Sequence, residues 1–292
     1  MEIIRDIKGL ERCRGGTCVL TMGALHAGHL SLIRAGVGIN HHPVVTTIFV
    51  NPTQFGEGED LSRYPRPIEN DILCAEEAGT DVLFLPSVEV IYPGGVDAAY
   101  IPKLPRVAVN PGLEEAHRPG HFAGVCMVVH RFFELLKPRY AMFGEKDYQQ
   151  LLVIREMVRN EGLGIEVVGC PIVREADGPA MSSRNVYLNE EERERALGLS
   201  RALKSAGSCP IESVEEGELI MRGVLHSHDV EIDYAVIRDG ETLMPVDGES
   251  IKRDKSINNN LSLRALIAGR VGGTRLIDNG EVVLRAKPSG SI

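Results

Sequence analysis

The sequence lacks the features that mark several specialised classes of protein. Positive charge is not in excess: the formal net charge is -9 at pH 7, which disfavours broad nonspecific binding to nucleic acid. No apolar run is long enough to span a membrane. Charged residues recur every few positions from Met1 to Gly16, so no secretory signal is expected there. We therefore expect a cytoplasmic protein with no nucleic-acid partner and no membrane partner.

Disulfide frameworks, repeats and low-complexity segments are not indicated either. None of the cysteines forms a Cys-x-x-Cys pair, a spacing that favours reduced, mostly structural thiols. The cysteines are Cys13, Cys18, Cys74, Cys126, Cys170 and Cys209. With 292 residues, 43% of them hydrophobic and 25% charged, the chain has an ordinary globular composition and room for two domains.

Short apolar runs alternate with helical patterns in the first part of the chain. The predicted strands are residues 18–22, 43–50, 81–85, 140–143 and 165–173. The predicted helices are residues 30–39, 68–78, 122–136 and 148–159, whereas residues 93–120 give no clear pattern. This alternation implies parallel pairing through right-handed crossovers, and so an α/β fold with a doubly wound parallel sheet.

After Ala176-Asp177-Gly178-Pro179 the pattern changes to helices followed by short strands. Helices are predicted at 189–206 and 214–225, and a loose tail at 287–292. The strands predicted here are residues 231–237, 242–244, 265–268, 274–278 and 281–284. We therefore divide the chain into residues 1–178 and a smaller α+β domain, residues 179–292.

His26-Ala27-Gly28-His29 joins a predicted strand to a predicted helix. Unpaired N–H groups and the positive end of the dipole make a helix start a good anion site. Because residues three apart share a helix face, His26 and His29 can contact the same bound group, and Gly28 lets a ligand approach the backbone. A nucleotide site is predicted; two surface histidines or half of a zinc site are the alternatives, although no nearby residues complete a zinc set.

Other polar groups also follow predicted strands, where ligands bind to doubly wound sheets. Lys146 precedes a helix, an unfavourable place for a cation unless an anion joins it. Met181-Ser182-Ser183-Arg184 offers hydroxyls and a guanidinium in a loop, residues 177–184, suited to closing over a triphosphate. Gln54 and Gln150 suit a substrate with hydroxyls and a carboxylate. A solvated surface side chain is the alternative for each of these groups.

Longer strings identify a family. They are Thr21-Met22-Gly23-Ala24-Leu25-His26, Phe49-Val50-Asn51-Pro52-Thr53-Gln54-Phe55, Arg118-Pro119-Gly120-His121-Phe122, Phe143-Gly144-Glu145-Lys146-Asp147-Tyr148-Gln149-Gln150, Ser182-Ser183-Arg184-Asn185 and residues 267–279. Together, and in this order, they resemble the pantothenate synthetase (pantoate–β-alanine ligase) family.

The resemblance implies a Rossmann-like first domain of the HxGH nucleotidyltransferase type and a second domain that acts as a lid and takes part in a dimer. It implies a ligase that uses ATP to convert pantoate to pantoyl adenylate, releasing diphosphate. The β-alanine amine then displaces AMP, giving pantothenate for coenzyme A biosynthesis. A Mg²⁺ requirement and a cytoplasmic homodimer are also implied.

The same resemblance assigns site residues. ATP is expected to contact Met22, Gly23, Ala24, Leu25, His26, Ala27, Gly28, His29, Gly144, Glu145, Lys146, Asp147, Val173, Met181, Ser182, Ser183 and Arg184. The expected catalytic residues are His29 (as proton donor), His26, Lys146, Ser182, Ser183 and Arg184. Gln54 is expected to contact pantoate and β-alanine, and Gln150 to contact pantoate. Magnesium ligands are not assigned, with Asp71 the one carboxylate considered.

Some positions depart from the family pattern, namely Leu20, Thr53, Pro179 and residues 114–117. None removes a polar catalytic group, but Pro179 is expected to stiffen the 177–184 loop.

Two other functions use similar motifs. A nucleotidyltransferase or tRNA synthetase shares His-x-Gly-His, although this chain is acidic and its second domain is small. The second alternative is a nucleotide-binding regulator without activity. Against it stand the intact residues His26, His29, Lys146 and Arg184.

Overall fold

The structure is a computed structural model that describes residues 1–208, 213–246 and 262–283. Its internal contacts divide the chain into two compact units, Met1–Val173 and Arg174–Ile292. The boundary expected from the sequence, 178/179, lies a few residues after this division. Within the described ranges, no helix combines the length and apolar character that crossing a membrane requires.

A six-stranded parallel sheet forms the centre of the first unit. Its strands are β1 (Glu2–Ile4), β2 (Thr17–Thr21), β3 (Val44–Ile48), β4 (Val82–Phe84), β5 (Tyr140–Gly144) and β6 (Glu166–Cys170). They lie in the order β1-β4-β3-β2-β5-β6, and all neighbouring pairs are parallel. The chain winds outward in both directions from β2 and β5, which confirms the doubly wound fold and places its switch point between those strands.

Helices connect these strands. They are α1 (Ala27–Gly38), α2 (Ile68–Glu77), α3 (Val88–Ile91), α4 (Arg106–Val109), α5 (Glu114–His117), α6 (His121–Leu136) and α7 (Tyr148–Asn160). The first four residues of β3 are fully buried, as a β-branched run covered on both faces requires. Most of α6 is buried, as its apolar residues on all sides predict.

The first unit differs from the sequence-based expectation at several points, which include the unpredicted short helix α3. The prediction missed β1, because three residues flanked by charges show no alternation; pairing with β4 makes it a strand. Helix α1 begins at Ala27 rather than at residue 30, since His26 already caps it. Residues 93–120, left without an assignment, contain the short helices α4 and α5 and a 3₁₀ turn.

The second unit packs two helices on one face of a three-stranded antiparallel sheet. The helices are α8 (Glu190–Ser208) and α9 (Val214–Ser227), and the strands are β7 (Glu231–Asp239), β8 (Leu263–Val271) and β9 (Thr274–Val282). Met221 and Leu225 from α9 are fully buried in one core with Ala235 and Ile267 from the sheet. The predicted α+β character is confirmed.

Two strand predictions in this unit were wrong. Residues 242–244 are not a strand: Leu243 has a φ of 58° and the segment makes a turn. The strands predicted at 274–278 and 281–284 are one strand, because Asn279 and Gly280, which look like a turn, pair with Leu266 and Ala265 in β8. Cys209, Leu284 and the predicted tail lie outside the described residues; the other five cysteines are free thiols.

Candidate functional site

The loop that leaves β2 is held by a buried carboxylate. Asp71, in α2, accepts the Ala24 N–H at 2.8 Å through Oδ2 and the Leu25 N–H at 2.7 Å through Oδ1. Gly23 has a φ of +85°, and a Cβ there would lie 2.9 Å from an Ile48 methyl group, so glycine is required. Burial raises the pKa of Asp71, while the two N–H donors lower it. The carboxylate considered for magnesium therefore binds the loop backbone.

His26 and His29 form the start of α1 together. The Gly28 N–H donates to His26 Nδ1 at 3.2 Å, and the His26 N–H donates to His29 Nδ1 at 3.4 Å, which makes a reciprocal capping box. The ring centroids are 4.1 Å apart, so the two rings share one face of the helix start, as the three-residue spacing predicted. Because each Nδ1 accepts a hydrogen bond, the proton of each neutral ring lies on Nε2. The pair thus places two Nε2–H donors at a helix N-terminus.

His29 is neutral at pH 7. Burial is the main cause that lowers its pKa to about 3; His26 and Lys146 also lower it, and Asp147 opposes them. Lys146 and Asp147 are therefore near neighbours of His29. A neutral imidazole interacts with an anion by donating a hydrogen bond rather than by carrying charge.

Lys146 follows β5 as the histidines follow β2, so the switch point brings these groups together. It lies in the 3₁₀ turn Glu145–Asp147 ahead of α7, with Nζ 3.3 Å from Asp147 Oδ1. In the parts of the chain that the structure describes, no group of three or more His, Cys, Asp or Glu side chains is arranged to hold a metal ion.

The Gln54 side chain forms hydrogen bonds both to the segment that follows β3 and to the loop that follows β2. It ends the 3₁₀ turn Pro52–Gln54; its Oε1 accepts from Asn51 Nδ2 at 3.2 Å and its Nε2 donates to Met22 Sδ at 3.0 Å. Asn51, 1% exposed, is held in turn by Tyr92, whose hydroxyl donates to its Oδ1 at 2.9 Å. Gln54 and Met22, predicted for different ligands, are therefore neighbours.

Arg118 and His121 hold the Gln54 backbone. His121 Nδ1–H donates to the Gln54 carbonyl at 2.9 Å, and Arg118 Nη2 lies 3.4 Å from the same oxygen. Arg118 also donates to both oxygens of Glu59, at 2.7 and 2.8 Å, and its Nη1 donates to His121 Nε2 at 3.1 Å. Burial, and then the Arg118 charge, lower the pKa of His121 to about 4. Arg118 and His121 were not predicted from the sequence to have a role; their Arg-x-x-His spacing was the available signal.

Helix α6 approaches the Gln54 turn at Gly124. A Cβ on Gly124 would lie 2.1 Å from the Thr53 carbonyl oxygen, so only glycine permits this contact. Thr53 Oγ1 lies 3.0 Å from Asn51 Oδ1 and 3.4 Å from the Gly124 carbonyl oxygen. The hydroxyl that departs from the family pattern thus has acceptors nearby.

The other predicted residues lie in different elements of the chain. Gln150 is half-buried in the first turn of α7, beside Gln149, which is buried and donates to Val107 O at 2.9 Å. Val173 ends the first unit. Met181 and its neighbours belong to the second unit, where Ser182 Oγ accepts the Arg184 N–H at 3.3 Å and starts a 3₁₀ helix. Their assignment to ATP stays a prediction.

Comparisons with known proteins agree with one another. A family model described as pantoate-beta-alanine ligase matches residues 2–281. The pantothenate synthetase of Rhodopirellula baltica is 45% identical over 280 residues, which are 94% of this chain and 94% of that protein. The Myxococcus xanthus pantothenate synthetase is 47% identical over 292 residues, covering 97% of this chain and 95% of that protein.

Solved structures agree as well. Pantothenate synthetase from Thermus thermophilus superimposes with a TM-score of 0.85 at 42% identity, covering 97% of this chain and 100% of that one. Pantoate-beta-alanine ligase from Francisella tularensis, crystallised with beta-gamma ATP and beta-alanine, gives a TM-score of 0.75 at 31% identity, with 96% and 97% covered.

Proposed function

The chain belongs to the pantoate–β-alanine ligase family, and we infer its reaction from that membership and from the site. It is an ATP-dependent ligase that condenses pantoate with β-alanine to give pantothenate, AMP and diphosphate. The observation that carries the assignment is the pair of capping histidines at the β2–β5 switch point, beside Gln54 and Lys146.

Two steps account for the use of ATP. A carboxylate does not accept an amine directly, because its leaving group would be oxide. In the first step a pantoate carboxylate oxygen attacks the α-phosphorus, the bond from phosphorus to the bridging oxygen breaks, and diphosphate leaves with the electron pair. In the second the β-alanine nitrogen attacks the acyl carbon, AMP leaves, and the nitrogen loses a proton. Neither step needs a covalent enzyme nucleophile.

We propose that the start of α1 binds the phosphates of ATP, since negative charge concentrates on these phosphates in the first step. The Nε2–H groups of His26 and His29 and the ammonium of Lys146 are the donors. A donor of this kind contributes about 3 kcal/mol of transition-state stabilisation. From the family resemblance we also propose that Ser182, Ser183 and Arg184 bind ATP and take part in catalysis.

Gln54 and Gln150 are proposed to bind pantoate, with Gln54 also near β-alanine. A primary amide has two donor hydrogens and an oxygen that accepts twice, so Gln54 retains capacity for a substrate hydroxyl or carboxylate beyond its bonds to Asn51 and Met22. Both its side chain and its carbonyl are fixed, which supports a role that depends on exact placement of the amide.

Magnesium is proposed to arrive with ATP, bound mainly by phosphate oxygens and water, and to offset the triphosphate charge. Asp147, a half-exposed carboxylate beside Lys146, fits as a further ligand, whereas the oxygens of Asp71 are engaged by backbone N–H groups.

We also propose a cytoplasmic homodimer. Sedimentation equilibrium should give twice the chain mass of 31.9 kDa; a value of 31.9 kDa would contradict the dimer.

The test of the function is ATP–pyrophosphate exchange with magnesium, with and without D-pantoate. We expect exchange to require pantoate and to fall about 100-fold or more in His29→Ala, because an oriented donor to the transition state is lost. His226→Ala, at the exposed end of α9, is the control. Adding β-alanine should yield AMP and pantothenate.

Other results would redirect the assignment. Exchange driven by an amino acid or a phosphorylated alcohol would favour a tRNA synthetase or a nucleotidyltransferase. Tight ATP binding with no exchange would indicate a regulator.

A further inference from the structure

Residues 174–180 form a tight hairpin that leads into the turn carrying Ser182 and Arg184. Arg174 and Ala180 make an antiparallel bridge, and the Glu175 N–H donates to the Pro179 carbonyl at 2.9 Å. Pro179 is the residue that was expected from the sequence to stiffen this loop. Its carbonyl accepts one of the hydrogen bonds that close the hairpin. Residues 174–180, within the second unit, are therefore held in place by hydrogen bonds of their own.

The carboxylate of Glu175 connects three parts of this structure. Its Oε1 accepts from Asn185 Nδ2 at 2.5 Å, and its Oε2 accepts from Arg193 Nη2, in α8, at 2.5 Å. Arg193 also donates to both oxygens of Asp177, at 3.0 and 2.9 Å. Charge-assisted, forked bonds of this kind fix direction as well as distance. The hairpin is therefore fastened to a long helix by one guanidinium.

Asn185 closes the turn from its far end. Besides Glu175, its Nδ2 donates to the Ala180 carbonyl at 3.1 Å, and its N–H donates to the Ser182 carbonyl at 3.0 Å. With the Ser182 cap on the Arg184 N–H, both ends of the turn are held.

The hairpin is also anchored at its base. Arg174 donates to both oxygens of Asp278, in β9, at 2.7 and 3.0 Å, and the Asp278 side chain is 2% exposed.

We propose that Glu175, Asn185 and Arg193 are positioning residues that hold Ser182, Ser183 and Arg184 in the geometry needed for pantoate adenylation. The proposal rests on the proposed function. Its physical basis is that a turn fixed in advance pays no ordering cost during the reaction, and that a displacement of about 1 Å at reacting groups costs on the order of 100-fold in rate. The turn then moves with α8 and β9, and not as a separate lid.

The proposal separates the two half-reactions. Charge builds on the departing diphosphate only during adenylation, whereas the attack of β-alanine on the adenylate releases AMP. Loss of the positioning residues should therefore slow the first step and leave the second unchanged.

The experiment compares Asn185→Ala, Glu175→Gln and Arg193→Lys with wild type. We expect the kcat of pantoate-dependent exchange to fall about 10- to 100-fold, with KM for pantoate unchanged. The rate of pantothenate formation from pantoyl adenylate and β-alanine should equal that of wild type. Arg201→Lys is the matched control, because Arg201 lies on the same helix and donates at 2.9 Å to Glu194 on the surface.

Asn185→Asp is a second variant that keeps the size of the side chain. It places two carboxylates in contact, so we expect exchange to be weak at pH 8 and to recover partly at pH 6, where a shared proton restores one hydrogen bond. Equal loss of both half-reactions together with a lower unfolding midpoint would overturn the proposal, as would unchanged exchange in all variants. Wild type without pantoate-dependent exchange would instead reject the proposed function itself, and this inference with it.

Discussion

At the scale of single residues, the two nitrogens of each histidine ring differ, because Nδ1 caps the helix and Nε2 carries the proton. Nδ1 of each ring satisfies a backbone N–H at the start of α1, the work usually done by a serine or aspartate cap. Nε2–H is the donor of each ring. Because burial keeps His29 neutral, its tautomer is set by folding before ATP arrives.

Asp71 shows how a charge can be structural at such a site. Its carboxylate, 1% exposed, is accommodated because it accepts two backbone N–H groups that the tight turn after β2 would otherwise leave without partners. The charge of Asp71 is therefore directed at the loop backbone.

Asp71→Asn tests this role. The amide offers one acceptor and turns an NH₂ group toward the second N–H, so we expect a loss of about 1–3 kcal/mol in the free energy of unfolding. The KM for ATP should rise because the 22–26 loop loosens. Urea unfolding and pyrophosphate exchange measure the two effects. Asp6→Asn is the control, since exposed Asp6 accepts the Lys8 N–H at 2.9 Å; an unchanged KM in Asp71→Asn would contradict the role.

At the scale of elements, the Gln54 turn is held from two sides. Helix α6 meets its backbone at Gly124, while Arg118 and His121, just before and at the start of that helix, bind the Gln54 carbonyl. The position of the turn therefore depends both on its packing against α6 and on the hydrogen bonds from Arg118 and His121.

Gly124→Ala should disturb this contact. The added methyl would meet backbone atoms of Thr53 at 2.1 and 2.4 Å, so helix and turn must separate. We expect a loss of about 1–3 kcal/mol in stability and a higher KM for pantoate. Gly223→Ala is matched, because Gly223 is also helical but has open space around it; there alanine should stabilise by about 1 kcal/mol. Calorimetry would measure the stability of each variant, and exchange kinetics would measure its KM for pantoate. Equal stability and equal KM in Gly124→Ala and Gly223→Ala would refute the contact.

At the scale of the whole molecule, the buried neutral ring of His121 makes stability depend on pH. In the unfolded chain a histidine takes up a proton near pH 6.5, whereas folded His121 does so only at about pH 4. The stability gained by keeping the ring neutral is present above pH 6.5 and is lost as pH falls toward 4.

His121→Asn should remove this dependence in part. Wild type should lose up to about 1.4 kcal/mol per pH unit from this ring between pH 6.5 and 4, and the variant, although less stable at pH 7, should show a shallower decline. The measurement is the unfolding midpoint against pH. His226→Asn, at an exposed position, should keep the wild-type slope; a parallel decline in His121→Asn would disprove the assignment.

Local pattern alone predicted much of the fold. The strands β2 to β6, the long helices α1, α2 and α6 to α9 and the change of class near residue 176 follow from the spacing of apolar residues and from the turn residues between them. The exceptions are physical. Strand β1 is too short to show a pattern and needs β4, and Asn279-Gly280 continues a strand because the partner strand supplies its bonds.

For the site, the sequence by itself determined which chemical groups the protein carries and which family it belongs to, because those depend on residue identity and order. Spacing also predicted that His26 and His29, which are local in the chain, share one helix face. The partners of these groups were decided only by the tertiary structure. Asp71 binding a loop 46 residues away, Arg118 and His121 holding Gln54, and Arg193 fastening Glu175 all join segments that periodicity treats separately. Such contacts arise from the packing of whole elements, so no local pattern encodes them.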